Sequence, residues 1–269
     1  MDLVVVERLS VDLPRGPAEI VHAVRDVSLR IGRGERVGIV GESGSGKSVT
    51  GRAIAGLLPD SPRVRLGGSI RICGAEMIGA GARDWRQVRR STVSMVFQDP
   101  LSSLNPTMRV GRQIAEAVRP STLARGSTRT AVVEAMRLAG LPDPEATMRR
   151  YPFELSGGMR QRILIAIALA KKPELIIADE PTTALDVTVQ ARILETLQDS
   201  VARLGTSLIM ISHDLAVVAK LCDRVHVMQH GVMVEDGPTR EVFTNPQHPY
   251  TRQLLAGARD LTSIETDRS

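Results

Sequence analysis

Cysteine is scarce in this sequence, and its scarcity excludes two classes of protein. Only Cys73 and Cys222 occur among the 269 residues, and they lie 222 − 73 = 149 positions apart. Two cysteines cannot build a disulfide scaffold, and this separation matches no close-spaced zinc or iron–sulfur motif. We therefore expect a protein of a reducing compartment that carries no metal cluster held by cysteine.

Long apolar runs are also missing. The longest covers the eight residues 163–170, whereas a membrane span needs about 20. Residues 1–7 contain no basic group and predict no secretory signal. We expect any contact with a membrane to be made through a partner protein.

The overall composition is that of a globular protein of one large or two small domains. Hydrophobic residues make up 42% and charged residues 24%, which supports an ordinary core. Lys and Arg exceed Asp and Glu by 35 − 30 = 5. So small an excess favours a solvated surface, and it leaves contact with acidic lipid, a phosphate ligand or nucleic acid as alternatives.

Strand and helix patterns alternate on both sides of a mainly helical stretch. The apolar patterns predict strands at residues 3–7, 27–31, 36–40, 69–72, 175–178, 207–211, 224–228 and 232–235. They predict helices at residues 48–57, 110–118, 127–139, 145–150, 187–204 and 215–221, with a frayed end from about residue 257. This alternation predicts an α/β fold with a mostly parallel sheet and an inserted helical lobe.

A glycine-rich loop follows the strand predicted at residues 36–40. It reads G-E-S-G-S-G-K-S and matches G-x-x-x-x-G-K-[ST] at every fixed position. Its glycines can turn backbone N–H groups towards phosphates, Lys47 can reach the β- and γ-phosphates, and Ser48 can ligate Mg²⁺. The nucleotide-binding residues predicted here are Gly41, Glu42, Ser43, Gly44, Ser45, Gly46, Lys47, Ser48 and Val49.

A second acidic element completes the predicted nucleotide site. Residues 175–178 are apolar and lead directly into Asp179 and Glu180. The carboxyl edge of a parallel sheet is where ligands bind in α/β folds. Asp179 therefore fits a partner of Mg²⁺, and Glu180 fits a general base or a group that orients water.

Residues 155–161, L-S-G-G-M-R-Q, predict a second anion site. Ser156 can cap the helix that follows, which is a structural explanation in itself. Gly157 and Gly158 in the first turn of that helix cost about 1 kcal/mol each relative to alanine, and their exposed N–H groups suit a phosphate oxygen.

Together these motifs resemble the nucleotide-binding subunit of an ATP-binding cassette (ABC) transporter. Residues 155–161 resemble the family signature, in which Gln161 is a further nucleotide contact, and residues 184–186 resemble the D-loop, which ends at Asp186. Gln98 resembles the Q-loop glutamine, which ligates Mg²⁺ or the attacking water, and His213 the switch histidine. The resemblance implies a P-loop NTPase fold with N-terminal antiparallel strands, and two cassettes that close head to tail around two ATP molecules.

The resemblance also implies a division of the chain. Residues 1–97 and 172–245 would form the ATP-binding lobe, residues 98–171 the helical signature lobe, and residues 246–269 a C-terminal tail. An aromatic residue that stacks on adenine is expected after the first strand, but Leu13 stands there and no aromatic residue precedes Trp85.

Two segments resemble one branch of the family, the importers of peptides and nickel. These are residues 97–106, around the Q-loop, and residues 245–255, which contain His-Pro-Tyr. The implied protein is an ATPase that powers import of peptides or of nickel and metal chelates. Its implied partners are two permeases, a second ATPase subunit in a heterodimer and, indirectly, a substrate-binding protein, at the cytoplasmic face of the membrane and without nucleic acid.

Two other functions remain open at this point. A cassette ATPase that acts on ribosomes or DNA usually carries two cassettes or a long inserted coiled coil, and this chain has one cassette. A regulatory subunit with little hydrolysis is disfavoured because Gln98, Glu180, His213 and the signature are all intact.

Overall fold

The computed structural model describes residues 2–16, 19–118, 125–182 and 186–266. Its strands β1 to β10 are, in chain order, Asp2–Arg15, Glu19–Gly32, Arg36–Val40, Arg65–Ile72, Ala75–Glu76, Val93–Val96, Leu175–Asp179, Ser207–Ser212, Arg224–Gln229 and Val232–Pro238. Its helices α1 to α11 are Lys47–Ala55, Ala82–Ser91, Pro100–Ser103, Val110–Ala117, Arg125–Leu138, Pro144–Thr147, Gly157–Ala170, Val187–Leu204, Leu215–Leu221, Thr239–Thr244 and Pro249–Thr266. The chain forms two compact units, Met1–Trp85 with Ile209–Ser269, and Arg86–Leu208.

The first unit begins with an antiparallel sheet in the strand order β2-β1-β4-β5. Strands β1 and β2 pair over their length, with Val6 opposite Leu29, and both extend well beyond the predicted residues 3–7 and 27–31. The pairing register shifts between Val6 and Leu9, where Arg8 has a left-handed backbone with φ of 49°. This bulge restores the burial of alternate apolar residues, and it explains why the sequence pattern ended too early.

Strand β3, which leads into the phosphate loop, lies in the same unit. The order of the strands around it is β10-β9-β3-β8. β3 is parallel to β9, and β9 turns back into antiparallel β10 at the hairpin of His230 and Gly231. A Cβ atom on Gly38 of β3 would lie 2.3 Å from Cγ1 of Val218, so glycine lets α9 approach the strand.

The second unit combines the parallel strands β6 and β7 with a set of helices. Helix α7 is the central one and packs on α4, α5 and α8, because residues 163–170 are apolar on all sides. Ile163, Ile165 and Ala166 are fully buried. None of the helices in the described part of the chain is both long and apolar enough to cross a bilayer.

Three local expectations from the sequence need correction. The helices predicted from the sequence leave out residues 99–106, but Pro100–Ser103 forms a single helical turn because Asp99 caps it and proline presets its first position. Residues beyond 257, expected to be frayed, belong to α11 as far as Thr266. Helix α2 and strand β6 were not predicted at all, because α2 has no buried residue and β6 has only four residues.

Candidate functional site

The phosphate loop lies between β3 and α1 of the first unit, and its glycines are required by its backbone. Gly41 and Gly46 have φ of 149° and 104°. A Cβ atom on Gly41 would lie 2.1 Å from the carbonyl oxygen of Met228, and one on Gly46 would lie 2.4 Å from that of Ala23. Any other residue at these two positions would force the loop to move.

Lys47 is held inside this loop by the loop's own carbonyls. Its side chain is only 4% exposed, and Nζ donates to the oxygens of Gly41 and Glu42, each at 2.7 Å. The ammonium is therefore preorganised at the start of α1, where the helix dipole also favours an anion.

Other loop residues also fit a phosphate group. Ser45 Oγ is buried and has no hydrogen-bond partner within the described residues. Ser48 and Val49 are half-buried in the first turn of α1. An unsatisfied buried hydroxyl costs free energy, so a ligand that supplies its partner would be favoured.

In the second unit, the two acidic residues lie at the end of β7, as predicted. Asp179 is 1% exposed, and Glu180 follows with a left-handed φ of 46°. Gln98, 82 residues earlier in the chain, donates from Nε2 to Oε2 of Glu180 at 3.2 Å. The fold thus brings together the amide and the carboxylate that the sequence assigned to hydrolysis, in a backbone conformation that is uncommon for glutamate.

The signature segment, residues 155–161, exposes Ser156 and also contributes to the packing of helix α7. Ser156 is exposed, and its Oγ caps α7 by accepting from the N–H of Met159 at 3.4 Å. A Cβ atom on Gly158 would lie 2.6 Å from Cγ1 of Val189. Gly158 is therefore needed for the approach of α8 to α7, whatever else it binds.

Gln161, the last residue of the signature segment, is buried in the second unit. It is 1% exposed, and its Nε2 donates to the carbonyl oxygen of Phe97 at 3.3 Å. This hydrogen bond links the signature helix to the residue before Gln98, and the nucleotide contact expected of Gln161 stays a prediction.

The remaining predicted residues are exposed at element ends. Asp186 caps α8 and accepts from the N–H of Val189 at 2.9 Å, while Ala184 and Leu185 of the predicted D-loop lie outside the described residues. His213 is exposed directly after β8 in the first unit. Its neighbour Asp214 caps α9.

One residue at the phosphate loop was missed by the sequence reasoning. Tyr250 accepts a hydrogen bond at its hydroxyl from the N–H of Glu42 at 2.9 Å. The only signal in the sequence was the His-Pro-Tyr segment, which was assigned to a branch of the family and to no site.

The fold and these residues define a P-loop ATPase of the cassette type. A model of the ABC transporter family matches residues 24–183, and the chain belongs to that family as an ATP-binding, ATP-hydrolysing subunit.

Curated relatives and solved structures agree with this assignment. The chain is 48% identical over 244 residues to the oligopeptide transport ATP-binding protein OppD of Bacillus subtilis (strain 168), which covers 90% of this chain and 68% of that protein. It is 48% identical to the probable D,D-dipeptide transport ATP-binding protein DdpD of Escherichia coli (strain K12), over 87% of this chain and 72% of the other. The post-hydrolysis dimer of the cassette MJ0796 bound to ADP and Pi matches with a TM-score of 0.78 and 27% identity, over 88% of this chain and 99% of that one.

Proposed function

We propose that this chain powers the import of peptides, at the cytoplasmic face of a membrane, together with two permeases and a second, related ATPase subunit. The relatives described above are named for oligopeptide and D,D-dipeptide transport, which supports the peptide half of the expectation from the sequence. Nothing in those names supports the nickel half. The heterodimer remains an expectation from the resemblance.

The phosphate loop is proposed to bind the β- and γ-phosphates of ATP. The preorganised ammonium of Lys47 and the three left-handed glycines of the loop support this role. The magnesium ligands implied by the resemblance are Ser48, Asp179 and Gln98, which carry hydroxyl, carboxylate and amide oxygens of the kind that Mg²⁺ prefers. A bound ion would neutralise charge on the phosphates.

Glu180 is proposed to accept the proton of the attacking water, with His213 as the second catalytic residue. The observation that carries the hydrolytic role is the 3.2 Å hydrogen bond from Gln98 to Glu180. A carboxylate held by an amide is oriented before substrate arrives, which reduces reorganisation in the reaction.

The signature is proposed to contact the ATP of the partner cassette. The contact would be made by exposed Ser156, by the N–H groups of Gly157 and Gly158, and by exposed Asp186. Gln161 would hold the signature helix in place. The division expected from the resemblance stays a proposal: residues 98–171 for the signature lobe, residues 1–97 and 172–245 for the ATP-binding lobe, and residues 246–269 for the tail. Its bounds differ from those of the two compact units, Met1–Trp85 with Ile209–Ser269 and Arg86–Leu208.

The short helix after Gln98 is proposed as a permease contact. Leu101 is 65% exposed on this turn, so its apolar side chain is accessible to a partner. The hydroxyls of Ser102 and Ser103 both donate to the carbonyl oxygen of Asp99, so the turn has a defined shape.

Uptake by cells that carry this chain and its permeases tests the proposal. Glu180→Gln should reduce uptake of a labelled tripeptide by at least about tenfold, because the amide cannot take the proton. Uptake of labelled nickel should not change. ATP binding to the purified variant should persist.

Glu241→Gln is the matched control, because it makes the same change at an exposed position of α10. It should leave tripeptide uptake unchanged. Full tripeptide uptake by Glu180→Gln at normal expression would reject the catalytic role, and loss of nickel uptake instead would reject the proposed cargo.

A further inference from the structure

The first two carbonyl groups of the phosphate loop hold the side chain of Lys47. Lys47 Nζ donates to the oxygens of both Gly41 and Glu42. The position of the ammonium therefore depends on the direction in which these two carbonyls point. A rotation of the peptide between Gly41 and Glu42 would withdraw one acceptor and displace the charge.

The same peptide is held from its other side by a residue 208 positions away. The N–H of Glu42 donates to the hydroxyl of Tyr250 at 2.9 Å, and Tyr250 is 5% exposed. The bond is made by the backbone of Glu42, whose side chain is exposed. Tyr250 thus constrains the orientation of the peptide itself.

The position of Tyr250 within the first unit is in turn fixed by the segment that precedes α11. The carboxylate of Glu235, on β10, accepts from the N–H groups of Gln247 and His248 at 2.7 and 3.0 Å. The N–H of Tyr250 donates to Nδ1 of His248 at 3.2 Å. Arg252 closes the segment by donating to the oxygens of Pro246 and Gln247.

Glu235 is suited to this anchoring role because it stays ionised. Burial by itself would raise the pKa of this carboxyl, but the hydrogen bonds from Gln247 and His248 bring it below the ordinary value. An ionised carboxylate accepts stronger hydrogen bonds from backbone N–H groups than a neutral one.

We propose that Tyr250 is a positioning residue of the nucleotide site: its hydroxyl orients the Gly41–Glu42 peptide, and the carbonyl of that peptide, which belongs to Gly41, helps to place Lys47 for the phosphates of ATP. The inference rests on the proposed role of Lys47. It gives the His-Pro-Tyr segment a part in nucleotide binding, beyond marking a branch of the family.

A merely structural role for Tyr250 makes a different prediction. If the hydroxyl only anchors α11, its removal should lower the stability of the fold and leave the affinity for ATP alone. If it acts through Lys47, its removal should weaken ATP binding, and that effect should depend on the presence of Lys47.

The test is a double-mutant cycle on the purified full-length chain, with Mg²⁺-ATP titrated into wild type, Tyr250→Phe, Lys47→Ala and the double variant. Phenylalanine keeps the ring and removes only the hydroxyl. We expect Tyr250→Phe to raise the dissociation constant for ATP by about 3- to 10-fold, the factor that corresponds to one hydrogen bond. In the Lys47→Ala background, the same change should have no further effect.

Tyr151→Phe is the control, since Tyr151 is the other tyrosine of the chain and its ring stacks on Phe153 in the second unit. It should bind ATP as wild type does. Thermal unfolding without nucleotide should show that Tyr250→Phe remains folded, with a midpoint lowered by no more than the loss of one hydrogen bond explains.

Two results would overturn the proposal. One is an unchanged dissociation constant for Tyr250→Phe together with weaker ATP binding by Lys47→Ala. That result would leave the assignment of the phosphate site in place. The other is an equal loss with and without Lys47, which would show that Tyr250 does not act through the lysine. An unchanged constant for Lys47→Ala would instead reject the proposed phosphate site itself.

Discussion

The buried residue His226 affects how the stability of the protein depends on pH. It is 2% exposed on β9, and Nδ1 and Nε2 have no hydrogen-bond partner within the part of the chain that the structure describes. Burial and, to a smaller extent, the charge of Arg224 lower the pKa of His226 to about 4, against the opposing effects of Asp236 and Glu35. The folded protein therefore holds this ring neutral at neutral pH.

The stability of the protein should fall in acid partly through His226. Between pH 6.5 and about 4 the unfolded chain binds a proton at this residue and the folded chain does not, so the free energy of unfolding falls as the pH falls. Above pH 6.5 the ring contributes no slope. His226→Leu should remove this component, so that wild type loses roughly 2 to 3 kcal/mol more than the variant over that range.

Urea unfolding at a series of pH values measures the difference. At pH 7 the variant should be at least as stable as wild type, because leucine has a similar volume and no unsatisfied nitrogen. Carboxylates such as Asp223, whose pKa is lowered by its hydrogen bond with Arg36, add the same slope to both proteins. Parallel pH curves for the two proteins would mean that His226 is not held neutral.

The sequence proposes the residue types of the site, and it does not show their contacts. The loop of Gly41 to Ser48 is a contiguous pattern, so its geometry follows from local chemistry. Gln98 and Glu180 were assigned separately, and only the fold makes them a hydrogen-bonded pair. Tyr250 carried no pattern that pointed to Glu42.

At the scale of elements, the contact between α7 and α8 gives the signature a packing function. Gly158 and Val189 face each other, with only 2.6 Å between the Cγ1 of Val189 and the place of a Cβ atom on Gly158. Asp186 caps α8 at the same end of this contact. The glycine predicted to bind phosphate is therefore also a point of close contact between two helices.

Gly158→Ala should destabilise the fold, although alanine is the better helix former. The forced separation of the helices is expected to cost about 1 to 3 kcal/mol, which outweighs a gain of about 1 kcal/mol in helix propensity. Val189→Ala removes the opposing methyl group, so the double variant should regain most of the loss. Urea unfolding of the three variants measures the coupling.

The same variants separate packing from binding. If the double variant is stable and the assembled transporter still hydrolyses no ATP, Gly158 is needed at the nucleotide as well. A Gly158→Ala variant as stable as wild type would contradict the close contact.

Element boundaries were predicted where local signals mark them. Helix α8 begins after Asp186 and ends at Gly205, which has a φ of 63°, as the cap and stop signals indicate. The strand β1 was cut short in the prediction because a bulge at Arg8 breaks the alternation of apolar residues. A bulge is set by the pairing partner, so the sequence of one strand cannot show it.

At the scale of the whole molecule, the proposed function assigns anion binding to two separate elements of the chain. One is the phosphate loop in the first unit, and the other is the start of α7 in the second unit. In the proposed function, the first serves the ATP of this chain and the second the ATP of its partner. Neither element completes the site of a single chain.

Ser156→Arg should therefore spare ATP binding by the isolated chain and block turnover by the assembled transporter. The long cationic side chain would occupy the space of the partner's phosphates, and we expect a loss of at least about tenfold. Nucleotide titration of the purified chain and ATPase measurements on the assembled transporter provide the two readouts.

Ser156→Ala controls for the loss of the helix cap, because it removes the oxygen that accepts from Met159 without adding bulk. It should be destabilised to the same extent as Ser156→Arg and keep more of the turnover. Weaker ATP binding by isolated Ser156→Arg would contradict a role confined to the partner's nucleotide.

The sequence by itself determined the class of fold, the phosphate loop and the residue types of the hydrolytic site, because each depends on a short contiguous pattern or on the alternation of strands and helices. Tertiary structure alone decided that Gln98 binds Glu180, that Gly158 admits Val189, that Gln161 is buried on Phe97 and that Tyr250 holds Glu42. These contacts join residues up to 208 positions apart, and no local pattern specifies which distant group will reach a given atom. The geometry of these contacts follows from the packing of whole helices and strands against one another. The sequence of a single helix or strand does not specify that packing.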